Sequence, residues 1–127
     1  MHKSRLAGFI IDCRTDDLDA AARFWGRALG LEVKPAVNPA DSAYRAFNTA
    51  PDEFHIEVQK VDHASRVHLD IESDDIEAEV RRLEKLGAKR VAQVRTWWVM
   101  EAPTGQRFCV VRVQRPDFAE NANSWND

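Results

Sequence analysis

The sequence predicts an α+β fold in which the order βαβββ occurs twice. Three observations carry this. The strand and helix signals alternate in the same order in both halves of the chain. The runs Arg27-Ala-Leu-Gly-Leu-Glu-Val33 and Glu84-Lys-Leu-Gly-Ala-Lys-Arg90 stand at matching points, each leading from a helix end into a strand. The chain has 127 residues, enough for one domain with a sizeable core. A repeat of a whole supersecondary unit is a stronger fold signal than any single motif.

The first half opens with a strand over 8–14, rich in branched residues. Thr15-Asp16-Asp17 is a helix start, because its side chains cap free N–H groups and its charge suits the positive helix end. Leu18, Ala22, Trp25 and Leu29 follow at helical spacing, and Gly30 ends the run. Leu31 to Lys34 is a short strand, Pro35 to Ser42 a loop, and Tyr44 to Asn48 and Phe54 to Val61 are two further strands. Trp25 and Cys13 are expected in the core.

The second half begins with a strand over 66–72. Asp74, with Glu77 three residues on, has capping-box spacing, and Ile76, Val80 and Leu83 form the apolar stripe of a helix that stops at Gly87. Lys89 to Val94, Trp97 to Glu101 and Arg107 to Val113 are strands, the last two joined by the turn Ala102-Pro103-Thr104-Gly105. The expected organisation is a single domain over 1–115, with modules at about 8–61 and 66–113 and a polar tail over 116–127. The tail is either a frayed end or a strap whose Phe118 and Trp125 dock on the same or a neighbouring subunit.

Composition narrows the function classes. Hydrophobic residues make up 44% and charged residues 31%, and the net charge is −3 with basic residues scattered. That balance argues against nucleic acid and anionic membranes as partners. No apolar run reaches the ~20 residues of a membrane span. Two widely separated cysteines, Cys13 and Cys109, make a disulfide framework unexpected and the cytoplasm the expected location. The chain has no Gly-rich phosphate loop, nucleophile elbow or CxxC.

Three stretches together resemble the glyoxalase, bleomycin-resistance and dioxygenase (vicinal oxygen chelate) superfamily, and within it the glyoxalase-like subgroup. They are Asp17-Leu18 to Phe24-Trp25 with Leu29-Gly30-Leu31, Arg66 to Ile71 with Leu86-Gly87-Ala88, and Ala102-Pro-Thr-Gly-Gln-Arg-Phe108. The last is similar to the family's Asp-Pro-Glu-Gly-Asn-x-Phe hairpin, with Ala102 in place of the Asp. The resemblance implies curved sheets, mixed or antiparallel, wrapped into a cavity with helices outside, and a homodimer. Its metal-ligand positions fall on Ile10, Glu57, His68 and Cys109. Ile10 cannot ligate and Cys109 replaces a carboxylate, so no cofactor is expected at that set, with a divalent metal on His68 and Glu57 as the alternative.

Strand alternation bears on the same residues. His55, Glu57 and Gln59 oppose Phe54, Ile56 and Val58, while His68 and Asp70 oppose Val67, Leu69 and Ile71. If the apolar rows face helices, Glu57, His68 and Asp70 face inward, together with Ile10 and Asp12. The plain alternative is a half-exposed sheet whose polar row meets solvent. His68 and Glu57 are the candidate catalytic pair, because imidazole and carboxylate can exchange protons or bind a metal. Asp12, Asp70, Trp97 and Cys109 are candidate substrate-binding residues. Against this, a strand histidine is often structural, and Cys109 between Phe108 and Val110 reads more simply as a small packed hydrophobe. Trp97 and Trp98 must face opposite ways, and the pattern leaves open which is inside. His2, His55 and His63 have no ligand-spaced partner in the sequence.

Three functions are therefore carried forward. One is a glyoxalase-like small-molecule enzyme of lyase or isomerase type, acid–base or metal-assisted. The second is a metal-free protein that sequesters a small molecule in a dimer cavity, and the third an accessory domain.

Overall fold

The computed structural model describes residues 1–35 and 43–127. The elements run β1 (His2–Arg14), α1 (Leu18–Leu29), β2 (Tyr44–Ala46), β3 (His55–Val61), β4 (Arg66–Ser73), α2 (Ile76–Lys85), β5 (Lys89–Val94), β6 (Trp97–Glu101), β7 (Arg107–Arg112), α3 (Phe118–Asn121) and β8 (Asn123–Trp125). The fold is mixed α+β, as the sequence predicts. Packing divides the chain into residues 9–67 and a second unit of 1–8 with 68–127, the long β1 running from one into the other.

In residues 9–67 the strand order is β2-β3-β1. Helix α1 starts at Asp17, whose carboxylate accepts from Ala20 N–H at 3.0 Å. It ends at Gly30, whose φ of 70° is the left-handed conformation that glycine adopts without penalty. Its buried face, Leu18 and Ala22, meets Cys13, Phe47 and Val58, with Trp25, Ile11 and Ile56 packed around them. Each fully buried aliphatic side chain of this kind contributes roughly 1.5–3 kcal/mol. Cys13 and Trp25 thus belong to the core, as expected. The strand expected over Leu31 to Lys34 is only a single bridge, Val33 to Phe47, and the expected loop reaches into residues 36–42, outside the described residues. At Gly26 the helix backbone lies close to the segment that follows it: a Cβ there would lie 2.9 Å from the Leu31 carbonyl oxygen.

In the second unit the order is β1-β4-β7-β6-β5, with β8 also on β1. β4 and β7 are parallel, while β7-β6 and β6-β5 are antiparallel. The turn Ala102–Gly105 closes with Gly105 N–H donating to the Ala102 carbonyl at 2.9 Å. Helix α2 lays Val80 and Leu83 on Met100 and Val110, flanked by Ile71, Trp98 and Phe108. Its cap is Asp75, which accepts from Ala78 N–H at 3.0 Å. Asp74, the cap expected from the sequence, instead accepts from Lys3 N–H at 2.8 Å. Two adjacent aspartates could each have capped the helix, and the contact with β1 decides between them.

β1 begins at His2, six residues before the expected start. Residues 2–8 lack the apolar pattern of a buried strand because they are held by polar contacts. Glu72, fully buried, accepts from Arg5 Nε at 2.8 Å, Arg115 Nε at 3.2 Å, and the backbone N–H groups of Gln114 and Arg115 at 2.6 and 3.0 Å. Arg5 also reaches Asp117 at 2.6 Å. A carboxylate with this many donors has its desolvation offset by charge-assisted bonds.

The tail is a strap rather than a frayed end. β8 pairs antiparallel with β1, Trp125 opposite His2 and Asn123 opposite Ser4. Phe118 is buried, and Trp125 Nε1 donates to Ser4 Oγ at 2.8 Å. Beneath it lies Glu79, fully buried on α2. It accepts from Ser4 Oγ at 2.7 Å and from Arg82 at 2.8 Å through both Nε and Nη2, and it pairs with His2 Nε2 at 2.8 Å. His2 Nδ1 meets Asp127, and the Arg82 guanidinium lies 3.9 Å from the centre of the Trp125 ring.

Burial works to lower the His2 pKa, but the hydrogen bonds and charges of Glu79 and Asp127 outweigh it and raise it above the ordinary 6.5. Burial likewise works to raise Glu79, but its bonds to Arg82, His2 and Ser4 hold it below the ordinary 4.5. A raised histidine stabilises fully below its unfolded value and loses that contribution as pH rises through the folded one. A lowered carboxylate stabilises above its unfolded value and loses it as pH falls through the folded one. The strap is therefore firmest between pH 4.5 and 6.5. Thermal melts should show wild type above His2→Gln by about 3–6 °C at pH 6, the gap narrowing toward pH 9. A pH-independent gap would show that the imidazolium charge plays no part. Gly26→Ala should cost about 1–3 kcal/mol by denaturant titration, because the methyl group meets backbone; an unchanged midpoint would show that the loop yields freely.

Candidate functional site

Directly opposed residues on neighbouring strands share a face, so the registers of β4, β7 and β6 define two faces. Asp70 pairs with Cys109 and Cys109 with Val99; Glu72 pairs with Val111 and Glu101 with Arg107. One face therefore carries His68, Asp70, Glu72, Arg107, Cys109, Val111, Trp97, Val99 and Glu101. The other carries Ile71, Val110, Phe108, Trp98 and Met100 and packs on α2. This settles the two tryptophans. Trp98 lies on the helix side, with the Arg90 guanidinium 5.0 Å from its ring centre. Trp97 shares the face of Cys109.

On β4 the usual burial is inverted along part of the strand. Val67 and Leu69 are 60% and 45% exposed, whereas Asp70 and Glu72 are buried. α2 covers Ile71 but not the first turn of that apolar row. The polar row is thus the enclosed one, which rules out the solvent-facing alternative for it.

His68, Asp70 and Cys109 come together on that face. Each offers one metal-binding atom, and these atoms all lie within 4.8 Å of one another. His68 Nε2 is 3.5 Å from Asp70 Oδ1, and both side chains are about one-tenth exposed. The sheet enforces this proximity: Asp70 and Cys109 are cross-strand neighbours, and His68 precedes Asp70 by the two residues that return a strand to the same face. Cys109, a candidate substrate-binding residue whose simpler reading is packing, is buried beside an imidazole and a carboxylate.

The other candidates lie in residues 9–67. Glu57 is half-buried on β3, with its Oε2 3.4 Å from His55 Nε2. His55 and Glu57, which alternation places two residues apart on one strand face, are thus partners. Asp12 is buried on β1, with Oδ2 3.8 Å from Arg66 Nε. Ile10 is a buried aliphatic side chain.

The donor set suits a metal such as zinc. Imidazole, carboxylate and thiolate are ordinary zinc ligands, and three protein ligands with one open position is the common catalytic arrangement. A thiolate disfavours magnesium or calcium. When bound, such an ion supplies a Lewis acid that polarises a substrate oxygen.

Sequence reasoning missed Glu72, Arg5, Arg115, Glu79 and His2. A charged residue on a strand carries no local sign that its partners lie tens of residues away. The two glutamates could have been suspected only from their places beside apolar residues, Glu72 next to Ile71 and Glu79 next to Val80.

Fold and site together define a small α+β domain with a buried cluster of titratable groups on one sheet face, of the vicinal-oxygen-chelate class. A family model described as "Glyoxalase-like domain" matches residues 8–111. The chain belongs to the glyoxalase-like domain family. Among solved structures it is similar to a methylmalonyl-CoA epimerase from Mycobacterium tuberculosis, with TM-score 0.60 and 18% identity over 91% of each chain. It is also similar to a hypothetical protein from Bacillus halodurans C-125, with TM-score 0.56 and 14% identity over 87% of this chain and 96% of that one. A Streptomyces coelicolor methylmalonyl-CoA epimerase variant in complex with 2-nitronate-propionyl-CoA gives TM-score 0.54 and 14% identity over 87% and 96%. At these identities the likeness is one of fold. No curated protein matches the chain. No helix among the described residues is long and apolar enough to cross a membrane.

Proposed function

We propose that this protein is a small-molecule enzyme of isomerase or lyase type that moves a proton at a carbon next to a carbonyl group. The observation that carries this reading is the enclosed imidazole–carboxylate pair, His68 Nε2 to Asp70 Oδ1 at 3.5 Å. With Nε2 within ion-pair distance of Asp70 Oδ1, His68 has Nδ1 as its second ring nitrogen for exchange with a substrate. An imidazolium held by Asp70 donates from Nδ1 to a developing enolate oxygen, and the neutral ring takes a proton at the same atom. One group that both takes and gives a proton suits an isomerisation in which the proton removed from carbon is handed back to the enolate. The fold likeness to methylmalonyl-CoA epimerases makes 2-branched acyl thioesters the first substrates to try. Glu57, nominated by the sequence, is carried as a second proton-transfer group with its own test, Glu57→Gln.

The rival function, sequestration of a flat ligand, is favoured by one observation, the placement of Trp97 on the face of Cys109. The two readings separate on turnover.

Proton exchange at the carbon next to the carbonyl can be followed by NMR in deuterated water, with methylmalonyl-CoA and a panel of 2-substituted acyl thioesters. Wild type should accelerate exchange, and His68→Ala should lower the rate by about 10²–10⁴-fold, the usual worth of a general acid–base group. Unchanged circular dichroism would exclude unfolding as the cause. Exchange that proceeds equally in His68→Ala would remove His68 from the chemistry. Ligand binding without exchange, retained in His68→Ala, would establish the sequestering function instead.

A further inference from the structure

We propose that Arg107 is the anion-binding residue of this site, and that the compound turned over carries an ionised carboxyl group on the carbon whose proton His68 moves. The inference rests on the reading of His68 as the proton-transfer group. It adds the chemical class of the substrate and the residue that selects it.

The sheet places a guanidinium beside the imidazole. The parallel ladder that opposes Asp70 to Cys109 brings Arg107 level with His68, each one same-face step earlier on its strand. Neighbouring strands lie about 4.8 Å apart, so a molecule whose carbon meets His68 comes within reach of the Arg107 side chain. Across the β6·β7 ladder Arg107 is opposed to Glu101, whose Oε1 accepts from its Nε at 3.3 Å. That leaves the end-on edge of the guanidinium, Nη1 and Nη2, and among the described residues these nitrogens hold no hydrogen-bond partner. Two N–H donors on one planar edge match the two oxygens of a carboxylate.

Other guanidinium groups in this unit are committed to the fold. Arg5 and Arg115 converge on Glu72, Arg82 lies along Glu79, and Arg90 bridges Glu77 and Glu84. Arg107 has one carboxylate at one nitrogen, with the two side chains 38% and 34% exposed. An ion pair as open as this stabilises a fold little. What it does is hold the guanidinium at the rim of a face whose deeper residues, Asp70 and Cys109, are buried. Next to Cys109 on that face stands Val99, an apolar neighbour for an alkyl substituent.

The chemistry needs such a cation. Removing a proton from a carbon that bears a carboxylate sets the negative charge of the enolate beside the one already there. A guanidinium on the carboxylate offsets that repulsion as it develops. The proton passes from carbon to His68 and back to the enolate, while Arg107 stays charged throughout. The phosphates of a coenzyme A ester are a second source of negative charge. The pantetheine arm holds them many bonds from the thioester, whereas Arg107 is level with His68.

Methylmalonyl-CoA and isobutyryl-CoA differ in a carboxylate against a methyl group on the carbon next to the carbonyl, so contacts to the coenzyme cancel between them. Calorimetric titration of the whole chain should show methylmalonyl-CoA bound about 10–100-fold more tightly. Arg107→Gln should weaken methylmalonyl-CoA by about that factor and leave isobutyryl-CoA within about threefold, which also shows that the variant is folded. Arg107→Lys, which keeps the charge without the two-pronged edge, should fall between. A wild type without the preference would overturn the proposal. So would equal weakening of both esters in Arg107→Gln, which would put the guanidinium on the coenzyme phosphates. Binding does not depend on turnover. A protein that shows the preference but exchanges no proton keeps this subsite and removes the proposed reaction. One that exchanges the proton of isobutyryl-CoA as fast as that of methylmalonyl-CoA, with Arg107→Gln without effect, keeps the reaction and removes the subsite.

Discussion

The parallel pairing of β4 with β7 is the constraint on which the rest of the second unit depends. Parallel neighbours cannot be joined by a tight turn, so the chain must leave β4, cross over through α2 and come back through β5 and β6 before β7 lies alongside. That excursion gives α2 a sheet face to cover. The same ladder opposes Asp70 to Cys109. A slip of one residue would turn Asp70 toward α2 and bring Ile71 into the polar cluster. The register is pinned from the apolar side, where Ile71 and Val110 belong to one packed group with Val80 and Met100. Packing on one face thus sets the chemistry on the other.

Glu72 and Glu79 are fully buried in this unit, each together with several partners. Glu72 gathers Arg5, Arg115 and two backbone N–H groups, while Glu79 gathers Arg82, Ser4 and His2. In both cases the carboxylate comes from the β4–α2 region and partners come from the ends of the chain, joined for Glu79 by Arg82 of α2 itself. Breaking one such set by removing a partner leaves a charge without compensation, which costs more than the pair contributes when intact. These networks tie residues 2–8 and 115–127 to the sheet where apolar burial alone would be thin. They also explain why a polar segment with no strand-like pattern becomes part of a thirteen-residue strand.

The two halves reach the same strand logic with different completeness. In the second unit the edge strand β5 is six residues long and pairs with β6 along its length, with one irregularity between Arg90 and Ala92. In residues 9–67 its counterpart in the chain order is reduced to the bridge between Val33 and Phe47. The two sequences at that point, Leu-Glu-Val and Ala-Lys-Arg-Val, are equally strand-like. What differs is the partner: β2 is a three-residue strand and β6 a five-residue one, so there is less edge to extend.

Local periodicity determined most of the element order, both helix-end glycines, and the core placement of Cys13, Leu18, Val80 and Leu83, because these depend on contacts within a few residues of chain and on one apolar stripe. The candidate site was legible in part for the same reason: alternation puts His68 and Asp70 on one face of a strand without knowledge of anything else. Which face is enclosed was not legible, since alternation is symmetric and only the position of α2 and of the neighbouring strands breaks the symmetry. Cys109 read as a small hydrophobe because its flanks are apolar. Its place beside His68 and Asp70 exists only through a ladder joining residues 39 apart in sequence. The same holds for Glu72, Glu79 and the terminal strap. Their partners are distant in the chain, and a buried ion pair leaves no local pattern, so only the tertiary structure could decide that these polar residues lie inside.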